Sequence, residues 1–462
     1  MAHEMTIPRL VVSAPGSGSG KTTVTLALLA HWTAEGRAVQ PFKVGPDYID
    51  GNFHQAVTGR PSWNLDGWME PSHQAIRARF RMAAETAEVA VIEGVMGLFD
   101  GHGVDEVGST AEVARILQAP ILFVIDASGM AASAAALVQG FQTFDARVRI
   151  GGIILNRVGS ASHYTLVKQA IESRTGVPCL GYLQNAATIR VPERHLGLAR
   201  LPKEQLRPIL DDLVGRTRET FDWHGIEAVM ASAPPVDAPS RPVARVVPSI
   251  FRPVVAVAED DAFWFYYPAN LALLRQMGAE IREFSPLCGE PIPKEATHLY
   301  WGGGFPEAYL PELSRQRQAF EGYRERIGKG LKTLAECGGY MALGDAIVDG
   351  EGRRWPMVGV IPLETRMEKR LQGFGYRTIT VAQSGALWSQ GTQFRGHEFH
   401  HSRIVGNTPT PALYHLEGTR GQATDGFFTP TLMAGYAHLY FPSNPDAVYH
   451  WLYGDKEGPG CD

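Results

Sequence analysis

Two glycine-rich motifs of this chain contain the residue types that nucleotide chemistry and nucleophilic catalysis require. The first, APGSGSGKTT at 14–23, combines glycines with a lysine and two threonines. The second, LAECGGYMALG at 334–344, places a cysteine directly before two glycines. Together they indicate that nucleotide energy and a thiol-mediated step serve one reaction. The ATP-driven transfer of glutamine nitrogen to a carboxylate is one reaction that needs both.

The first motif predicts a phosphate-binding loop between a strand and a helix. Its glycines let backbone N–H groups approach phosphate, Lys21 can reach the outer phosphates, and the Thr22 hydroxyl can join a Mg²⁺ shell. The strict G-x-x-x-x-G-K-T spacing is not met, because Pro15 stands where the first glycine belongs. The alternative is a plain Gly/Ser-rich turn before a helix. The residues that we predict to bind nucleotide in this loop are Gly16, Gly18, Gly20, Lys21, Thr22 and Thr23.

Four acidic residues close to glycines predict a magnesium and phosphoryl-transfer centre. Asp47 and Asp50 lie in KVGPDYIDGNFH, and Glu93 and Asp100 lie in VIEGVMGLFDG. Carboxylates at strand ends that face a phosphate loop suit Mg²⁺ bound with ATP. For each acid taken alone, the alternative is a turn or helix-cap residue.

The second motif predicts a nucleophile, Cys337, on a sharp turn between a strand and a helix. A thiolate needs a base, and His438 in GYAHLYFPSNP, at the end of a predicted strand, is the candidate. The run Gly302–Gly304 predicts a further set of free backbone N–H groups that could stabilise an oxyanion. The residues that we predict to line the oxyanion site are Gly303, Gly304 and Gly338. The alternative is a buried structural cysteine.

From residue 9 to about residue 200, short apolar runs alternate with helical spacing, which predicts a doubly wound α/β domain with a parallel sheet. The predicted strands are LVVSA (10–14), VAVIEG (89–94), PILFVIDA (120–127) and GGIILN (151–156), and the predicted helices include 23–36 and 109–118. A second α/β pattern begins with PVVAVAED at 253–260. HEFHH at 397–401 favours a strand with alternating faces over a transition-metal site.

The chain of 462 residues is too long for one typical core. Residues 231–250 contain five prolines and few large apolar side chains, which predicts an extended linker. We therefore predict an ATP-binding domain at 1–230, this linker, and a second domain at 251–462.

The composition is that of an ordinary soluble protein. The hydrophobic content is 44% and the net charge is −5, so the sequence offers no basic field for nucleic acid. No stretch approaches the length of a membrane span, and we expect no membrane partner. The four cysteines form no C-x-x-C pair and indicate reduced thiols, so we expect a cytoplasmic protein. The oligomeric state is open, with a homodimer among the alternatives.

Taken as a set, the motifs resemble a known enzyme family. GGGFPE, AECGGYM and YAHLYF resemble class I glutamine amidotransferase domains, and RGHEFHHS is similar to the motif before the catalytic histidine of the cobalamin type. With KVGPDYID, NLDGWM and EGVMGLFDG in the first domain, almost the whole chain resembles the cobyrinic acid a,c-diamide synthase family. The resemblance implies a P-loop domain of the dethiobiotin-synthetase type, followed by a class I glutamine amidotransferase domain.

The resemblance also implies a role for each matching residue. Cys337 would attack the glutamine amide and release ammonia, and His438 would raise the nucleophilicity of the thiol. Many class I domains have a glutamate two residues after this histidine, where Tyr440 stands here. The cobyrinate-type branch shares this departure, which leaves open what orients the imidazole. Asn156 in ILNRVG resembles a purine-reading asparagine, and the four acids match residues that serve metal, phosphate or substrate.

The implied reaction uses ATP, Mg²⁺ and L-glutamine to amidate the a and c acetates of a corrinoid, cobyrinate or hydrogenobyrinate, through an acyl phosphate in cobalamin biosynthesis. Ammonia would cross from one domain to the other. Nickel-sirohydrochlorin is an alternative macrocycle. An alternative of another class is a P-loop switch ATPase with a non-catalytic C-terminal domain, which would show no glutaminase activity. In a third reading the cysteine domain is an independent hydrolase, whose product would form without ATP.

Overall fold

The computed structural model describes residues 6–186, 203–237, 252–406, 410–419 and 421–454. The chain divides into two compact units, Met1–Pro242 and Val243–Asp462. Most of the predicted linker, 238–250, lies outside the described residues. Its first residue, Ala231, is the last residue of a helix.

The first unit is built on a parallel sheet. Its strands are β1 (Arg9–Ser13), β2 (Val39–Val44), β3 (Trp63–Leu65), β4 (Val89–Glu93), β5 (Ile121–Asp126), β6 (Ile150–Val158) and β7 (Cys179–Gln184). They pair in parallel in the order β3-β2-β4-β1-β5-β6-β7. All residues of β1 and β4 are buried, as expected for apolar strands that are covered on both faces. The four strands predicted from the sequence are confirmed, with ends that differ by at most two residues.

Helices of the first unit connect these strands. They are α1 (Lys21–Ala34), α2 (Ile49–Thr58), α3 (His73–Ala84), α4 (Thr110–Ile116), α5 (Ser133–Phe144), α6 (Ala161–Thr175), α7 (Lys203–Thr220) and α8 (Trp223–Ala231). Serine side chains begin three of them: Ser72, Ser109 and Ser160 accept hydrogen bonds from backbone N–H groups in the first turns of α3, α4 and α6. Such a cap satisfies a backbone donor that the helix itself leaves unpaired.

The strand order places chemical groups from distant parts of the chain at one edge of this sheet. β1 lies between β4 and β5, and the phosphate-loop motif follows β1 directly. In the register of these pairs, Glu93 at the end of β4 lies opposite Val12 on one side and Lys43 on the other. Sites of doubly wound sheets form at the carboxyl ends of the strands, so this edge is where nucleotide chemistry is expected.

A buried arginine fixes the opposite end of β1. Arg9 is fully buried, and its guanidinium donates to the carbonyl of Leu117 (2.6 Å from Nη2, 3.0 Å from Nε) and to that of Pro234 (2.6 Å). A buried charge is tolerated when its donors are all directed at hydrogen-bond acceptors. Arg9 therefore ties the segment that follows α8 to the first strand.

The second unit contains several smaller sheets. Its strands are β8 (Val254–Ala258), β9 (Phe263–Phe265), β10 (Glu280–Phe284), β11 (His298–Trp301), β12 (Gly303–Gly304), β13 (Lys332–Glu336), β14 (Gly344–Val348), β15 (Arg354–Pro356), β16 (Ile361–Met367), β17 (Gly373–Val381), β18 (Gln393–His400), β19 (Ser402–Val405), β20 (Tyr414–Gly418), β21 (Gly421–Asp425), β22 (Phe427–Phe428), β23 (Leu432–Gly435) and β24 (His438–Tyr440). Its helices are α9 (Pro268–Gln276), α10 (Leu310–Leu313), α11 (Arg317–Gly328), α12 (Gly338–Leu343) and α13 (Pro445–Tyr453).

The central sheet of this unit has the order β10-β8-β11-β13-β23-β22, in which the first five strands are parallel. An antiparallel sheet, β21-β20-β17-β18-β24, contains the first four residues of the HEFHH segment on β18, which confirms the predicted strand. Two further groups are β15-β14-β16-β19 and β12-β9. Among the described residues, no helix combines the length and the apolar character that a membrane crossing requires.

One local prediction for this unit is wrong. His438 does not end a strand but is the first residue of β24. The reason is a buried carboxylate: Asp425 Oδ2 accepts hydrogen bonds from the backbone N–H groups of Tyr436 (2.6 Å) and Ala437 (3.2 Å). These two bonds end the ladder of β23 and redirect the chain before the histidine.

Candidate functional site

The phosphate-loop motif forms a turn between β1 and α1, and α1 begins at Lys21. Gly18 and Gly20 have φ angles of 76° and 100°, which lie in the left-handed region that glycine adopts without strain. The Lys21 amine donates to the carbonyls of Gly16 (3.0 Å) and Met96 (2.6 Å) and so lies across the loop. This is the strand–loop–helix arrangement in which backbone N–H groups bind phosphate.

Asn156 belongs to the wall of this loop. Its side-chain Nδ2 donates to the carbonyl of Ser19 (2.9 Å), and a Cβ added to Gly20 would lie 2.0 Å from the same nitrogen. Gly20 is therefore required both by its φ angle and by the close approach of Asn156. The structure gives Asn156 a role in holding the loop, and its role in reading the purine stays a prediction.

The predicted acids Asp50 and Glu93 meet around a buried lysine. Lys43 Nζ lies 2.7 Å from Asp50 Oδ2 and 3.2 Å from Glu93 Oε1. The Thr22 hydroxyl donates to the same Glu93 oxygen (2.7 Å), which joins this group to the phosphate loop. Because a buried charge is costly unless it is paired, the lysine and the two carboxylates stabilise each other.

A buried histidine completes this group. His54 Nε2 lies 2.6 Å from Glu93 Oε2, and His54 Nδ1 lies 2.9 Å from the Ser62 hydroxyl. Burial alone would raise the pKa of Glu93, but the charge of Lys43 and the hydrogen bond to His54 hold that pKa below its ordinary value. Burial opposes the charge of Lys43 as well, yet Asp50 and Glu93 raise the pKa of its amine. We call Lys43, Asp50, His54 and Glu93 the lysine cluster.

The other two predicted acids occupy different positions. Asp47 Oδ1 accepts hydrogen bonds from the backbone N–H groups of Ile49 (2.9 Å) and Asp50 (3.2 Å), so it caps the start of α2 while its charge acts on Lys43. Asp100 is exposed and accepts a hydrogen bond from the Gly97 N–H (2.7 Å), beside the first residues of the phosphate loop. Their roles toward metal or substrate stay predictions.

The oxygen donors at this edge fit Mg²⁺. The Thr22 hydroxyl and the Glu93 carboxylate are hard ligands, and they lie next to a loop shaped for phosphate. The described residues contain no cluster of three or more His, Cys, Asp and Glu side chains that could hold a metal. Magnesium that is bound through one or two protein oxygens and substrate phosphates does not require such a cluster.

In the second unit, Cys337 lies on the turn between β13 and α12. It is buried and has φ 48° and ψ −106°, a backbone conformation that costs energy for any residue with a side chain. Hydrogen bonds hold this turn: the Cys337 N–H donates to the Gly435 carbonyl (2.8 Å), and the Gly339 N–H donates to the Gly302 carbonyl (3.1 Å). The predicted turn between a strand and a helix at Cys337 is therefore confirmed, and the role of Cys337 as a nucleophile stays a prediction.

Gly303 is close to both Cys337 and His438. A Cβ built on Gly303 would lie 2.5 Å from His438 Cε1 and 3.3 Å from the Cys337 Cβ. The imidazole and the carbon that carries the thiol thus flank one backbone position that only glycine can occupy. The structure brings together these residues, which the sequence separates by more than a hundred positions.

One part of the oxyanion prediction is wrong. The Gly302 N–H is not free, because it donates to the Tyr266 hydroxyl (2.8 Å). Gly303 and Gly304 form β12, which pairs with Phe265 and Phe263 of β9. The Gly338 N–H is directed at the Cys337 thiol and favours its ionised form. Roles for Gly303, Gly304 and Gly338 toward an oxyanion stay predictions.

Burial keeps the thiol and the imidazole neutral. It raises the pKa of the Cys337 thiol, and the charge of the nearby Glu307 carboxyl acts in the same direction. Burial also lowers the pKa of His438 well below its ordinary value. A neutral imidazole can accept a thiol proton when the sulfur attacks an electrophile, which is how a base activates a cysteine nucleophile.

Sequence reasoning missed several residues that these sites contain. Lys43 and His54 stand at the two ends of the motif KVGPDYIDGNFH, and the sequence assigns a role to neither. Glu336 directly precedes the cysteine; its two oxygens accept hydrogen bonds from the Leu439 N–H (3.0 Å) and the Tyr300 hydroxyl (2.9 Å). Burial raises the pKa of Glu336 to about 8. The position before a nucleophile was the one signal that could have identified it.

Comparison with known proteins covers both units. Residues 10–198 match the CobQ/CobB/MinD/ParA nucleotide binding domain, and residues 254–446 match the CobB/CobQ-like glutamine amidotransferase domain. The cobyrinate a,c-diamide synthase of Priestia megaterium is 43% identical over 96% of this chain and 96% of its own length. The chain belongs to the cobyrinate a,c-diamide synthase family. Synthases of this family from Gloeobacter violaceus (43% identity, 94% of this chain, 93% of that protein) and Thermoplasma volcanium (39% identity, 95% of each) also match nearly throughout.

Proposed function

We propose that this chain is a glutamine-hydrolysing carbon–nitrogen ligase that amidates the a and c acetate carboxylates of cobyrinate at the expense of ATP. The family assignment supports the reaction, because the relatives are named cobyrinate a,c-diamide synthase. The observation that supports the chemistry is that His438 and Cys337 both lie close to Gly303. A phosphate loop in the other unit supplies the second half of the reaction.

In the glutaminase half, His438 takes the proton of the Cys337 thiol while the sulfur attacks the side-chain amide carbon of glutamine. The tetrahedral oxyanion collapses to a thioester and expels ammonia, which carries away a proton. Water then hydrolyses the thioester to glutamate and restores the thiol. Backbone N–H groups beside the sulfur, including that of Gly338, are suited to the oxyanion.

In the ligase half, a carboxylate oxygen of the macrocycle attacks the γ-phosphorus of ATP, and ADP leaves. The resulting acyl phosphate is attacked by ammonia at its carbonyl carbon, and inorganic phosphate leaves as the carboxamide forms. Activation is needed because the charge and resonance of a carboxylate resist a nucleophile. Lys21 is placed to neutralise charge on the transferred group, and Mg²⁺ held near Thr22 and Glu93 would neutralise further phosphate charge.

A direct assay tests the proposal. The purified protein is incubated with ATP, Mg²⁺ and glutamine together with cobyrinate, hydrogenobyrinate or nickel-sirohydrochlorin, and the products are weighed by mass spectrometry. We expect two amidations of cobyrinate. If only another macrocycle were amidated, the assignment of cobyrinate as the substrate would be contradicted. If product formed without ATP, the assignment as a ligase would be contradicted.

Two variants separate the two halves of the reaction. Cys337→Ser should abolish product formation from glutamine and retain formation from added ammonium, because the sulfur is needed only to release ammonia. Lys21→Ala should remove amidation from both nitrogen sources. A Cys337→Ser protein that still hydrolyses glutamine would refute the assigned nucleophile, and the absence of glutaminase activity in the unaltered protein would favour a switch ATPase.

A further inference from the structure

Tyr440 stands at the position where many class I domains have an acid. Ring contacts and one hydrogen bond link the Tyr440 ring to His438. Tyr440 packs edge-to-face against Tyr267, with ring centroids 5.3 Å apart and planes at 88°. Both tyrosines are buried. Tyr440 therefore replaces the acid and is the first of a series of aromatic rings in contact.

The next rings lead to His438. The Tyr267 hydroxyl lies 2.7 Å from Nδ1 of His397. The His397 ring stacks on the His438 ring with centroids 4.9 Å apart and planes at 17°. A hydrogen bond thus fixes the orientation of one imidazole, and its flat face lies against the other.

The backbone explains why the two histidines face each other. In the antiparallel pairing of β18 with β24, His397 lies directly opposite His438. Side chains on directly opposed residues of a sheet lie on the same face and within contact distance. The neighbouring Gly396 permits this close pairing, since a Cβ there would lie 1.9 Å from the His438 carbonyl oxygen.

We propose that His397 and Tyr267 are positioning residues that hold the imidazole of His438 toward Cys337 in place of the missing acid. Tyr267 fixes the His397 ring through its hydroxyl, and the His397 ring restricts rotation of His438 by flat contact. This inference rests on the proposed function, because it assumes that His438 is the base. In this proposal, stacking between the rings orients the base.

The charges around the two rings agree with this arrangement. Burial lowers the pKa of His397 to about 3, so this ring is neutral near neutral pH. His397 and His400 lower the pKa of His438, and Glu398 raises it by the smallest of the effects that act on this group. A stacked neutral ring constrains the geometry of the base without adding a second charge to a buried site.

The experiment measures steady-state glutaminase kinetics of ring variants in the full-length protein. His397→Ala removes the stacked ring and should lower kcat by about 100-fold, because a misplaced catalytic group loses near-attack geometry. KM should change by no more than about threefold, since glutamine binding is not altered. His397→Phe restores a flat ring and should recover about tenfold of the lost kcat. Tyr267→Phe keeps both rings but removes the hydrogen bond, and should lower kcat by about tenfold.

Two controls separate this inference from the proposed function. His415 is exposed on β20 of the same sheet, and His415→Ala should leave kcat unchanged. His438→Ala should abolish glutaminase activity; full activity in that variant would refute the proposed base, and the inference with it. If His438→Ala is inactive while His397→Ala behaves like His415→Ala, the inference alone is overturned. If His397→Ala does not fold, Tyr267→Phe decides, and an unchanged kcat in that variant overturns the inference.

Discussion

Two buried glutamates occupy equivalent places in the two units but differ in charge: Glu93 is ionised and Glu336 is neutral. Glu93 is the last residue of β4, and Glu336 is the last residue of β13; both strands are parallel and internal. The pKa of Glu93 is lowered because Lys43 and His54 outweigh its burial, whereas burial raises the pKa of Glu336 to about 8. The residue type and its place in the sheet are the same, so the partners determine the charge.

This difference matches the reaction proposed for each site. The lysine cluster keeps charges in place, as a site for phosphoryl transfer requires. Around Cys337, the thiol, the imidazole and the nearby carboxyl of Glu336 are held neutral, so a proton can pass from sulfur to His438 without separating charge beforehand. Burial acts on both glutamates, and the buried Lys43 beside Glu93 makes the first site different from the second.

The largest expected effect comes from removing the cation of the lysine cluster. Lys43→Met leaves Asp50 and Glu93 buried without their cation, and should lower the free energy of unfolding by about 3–5 kcal/mol. Denaturant unfolding measures this loss. Lys168→Met, which alters a lysine that is 39% exposed, is the matched control and should change stability by less than about 1 kcal/mol. Equal effects of the two variants would show that the lysine cluster does not depend on its cation.

The next effect concerns the neutral site. Gly303→Ala would place a methyl group 2.5 Å from His438 Cε1, so the imidazole must move. A displaced base should lower the glutaminase kcat on the order of 100-fold. Gly322→Ala is the control, because only the backbone of its own helix and its chain neighbours lie within 4 Å of the new carbon. Normal glutaminase kinetics in Gly303→Ala would refute the close approach of base and nucleophile.

A smaller effect is visible in the pH dependence of stability. Between about pH 4.5 and about pH 8 the unfolded chain has lost the Glu336 proton while the folded chain keeps it, so stability falls as the pH rises. Glu336→Gln should remove a slope on the order of 1 kcal/mol per pH unit, as measured by denaturant unfolding at several pH values. Glu93→Gln should act in the opposite sense, because Glu93 contributes stability above its unfolded pKa that is lost as the pH falls. Parallel pH profiles for the two variants would contradict the comparison.

The smallest effect is expected at the phosphate loop. Gly16 does not have a left-handed φ angle, and no described heavy atom lies within 4 Å of a Cβ built on it. Gly16→Ala should change the thermal stability of the nucleotide-free protein by less than about 1 kcal/mol. Calorimetry without ATP measures this difference. A large loss would mean that the loop backbone, like the turn at Cys337, is strained.

The sequence predicts the scaffold of both sites better than their supporting residues. The apolar runs that form β1, β4, β5 and β6 carry a local pattern, and so do the glycine turns before Lys21 and after Cys337. His54 and His397 lie in such patterns too, but the sequence does not give their roles, because each contacts a partner that only the folded sheets bring near: Glu93 for His54 and His438 for His397. The reported error at Gly302 has the same origin, since Tyr266 reaches its N–H from a separate strand.

Arg9 affects how a pulling force applied to the chain would be distributed within the first unit. Its guanidinium holds the Pro234 carbonyl, while β1 runs from Arg9 directly into the phosphate loop. A pulling force on the segment after residue 234 would therefore act on the strand that ends at the nucleotide-binding turn, and not only on α8. One side chain thus couples the exit of the polypeptide to the opposite end of the sheet.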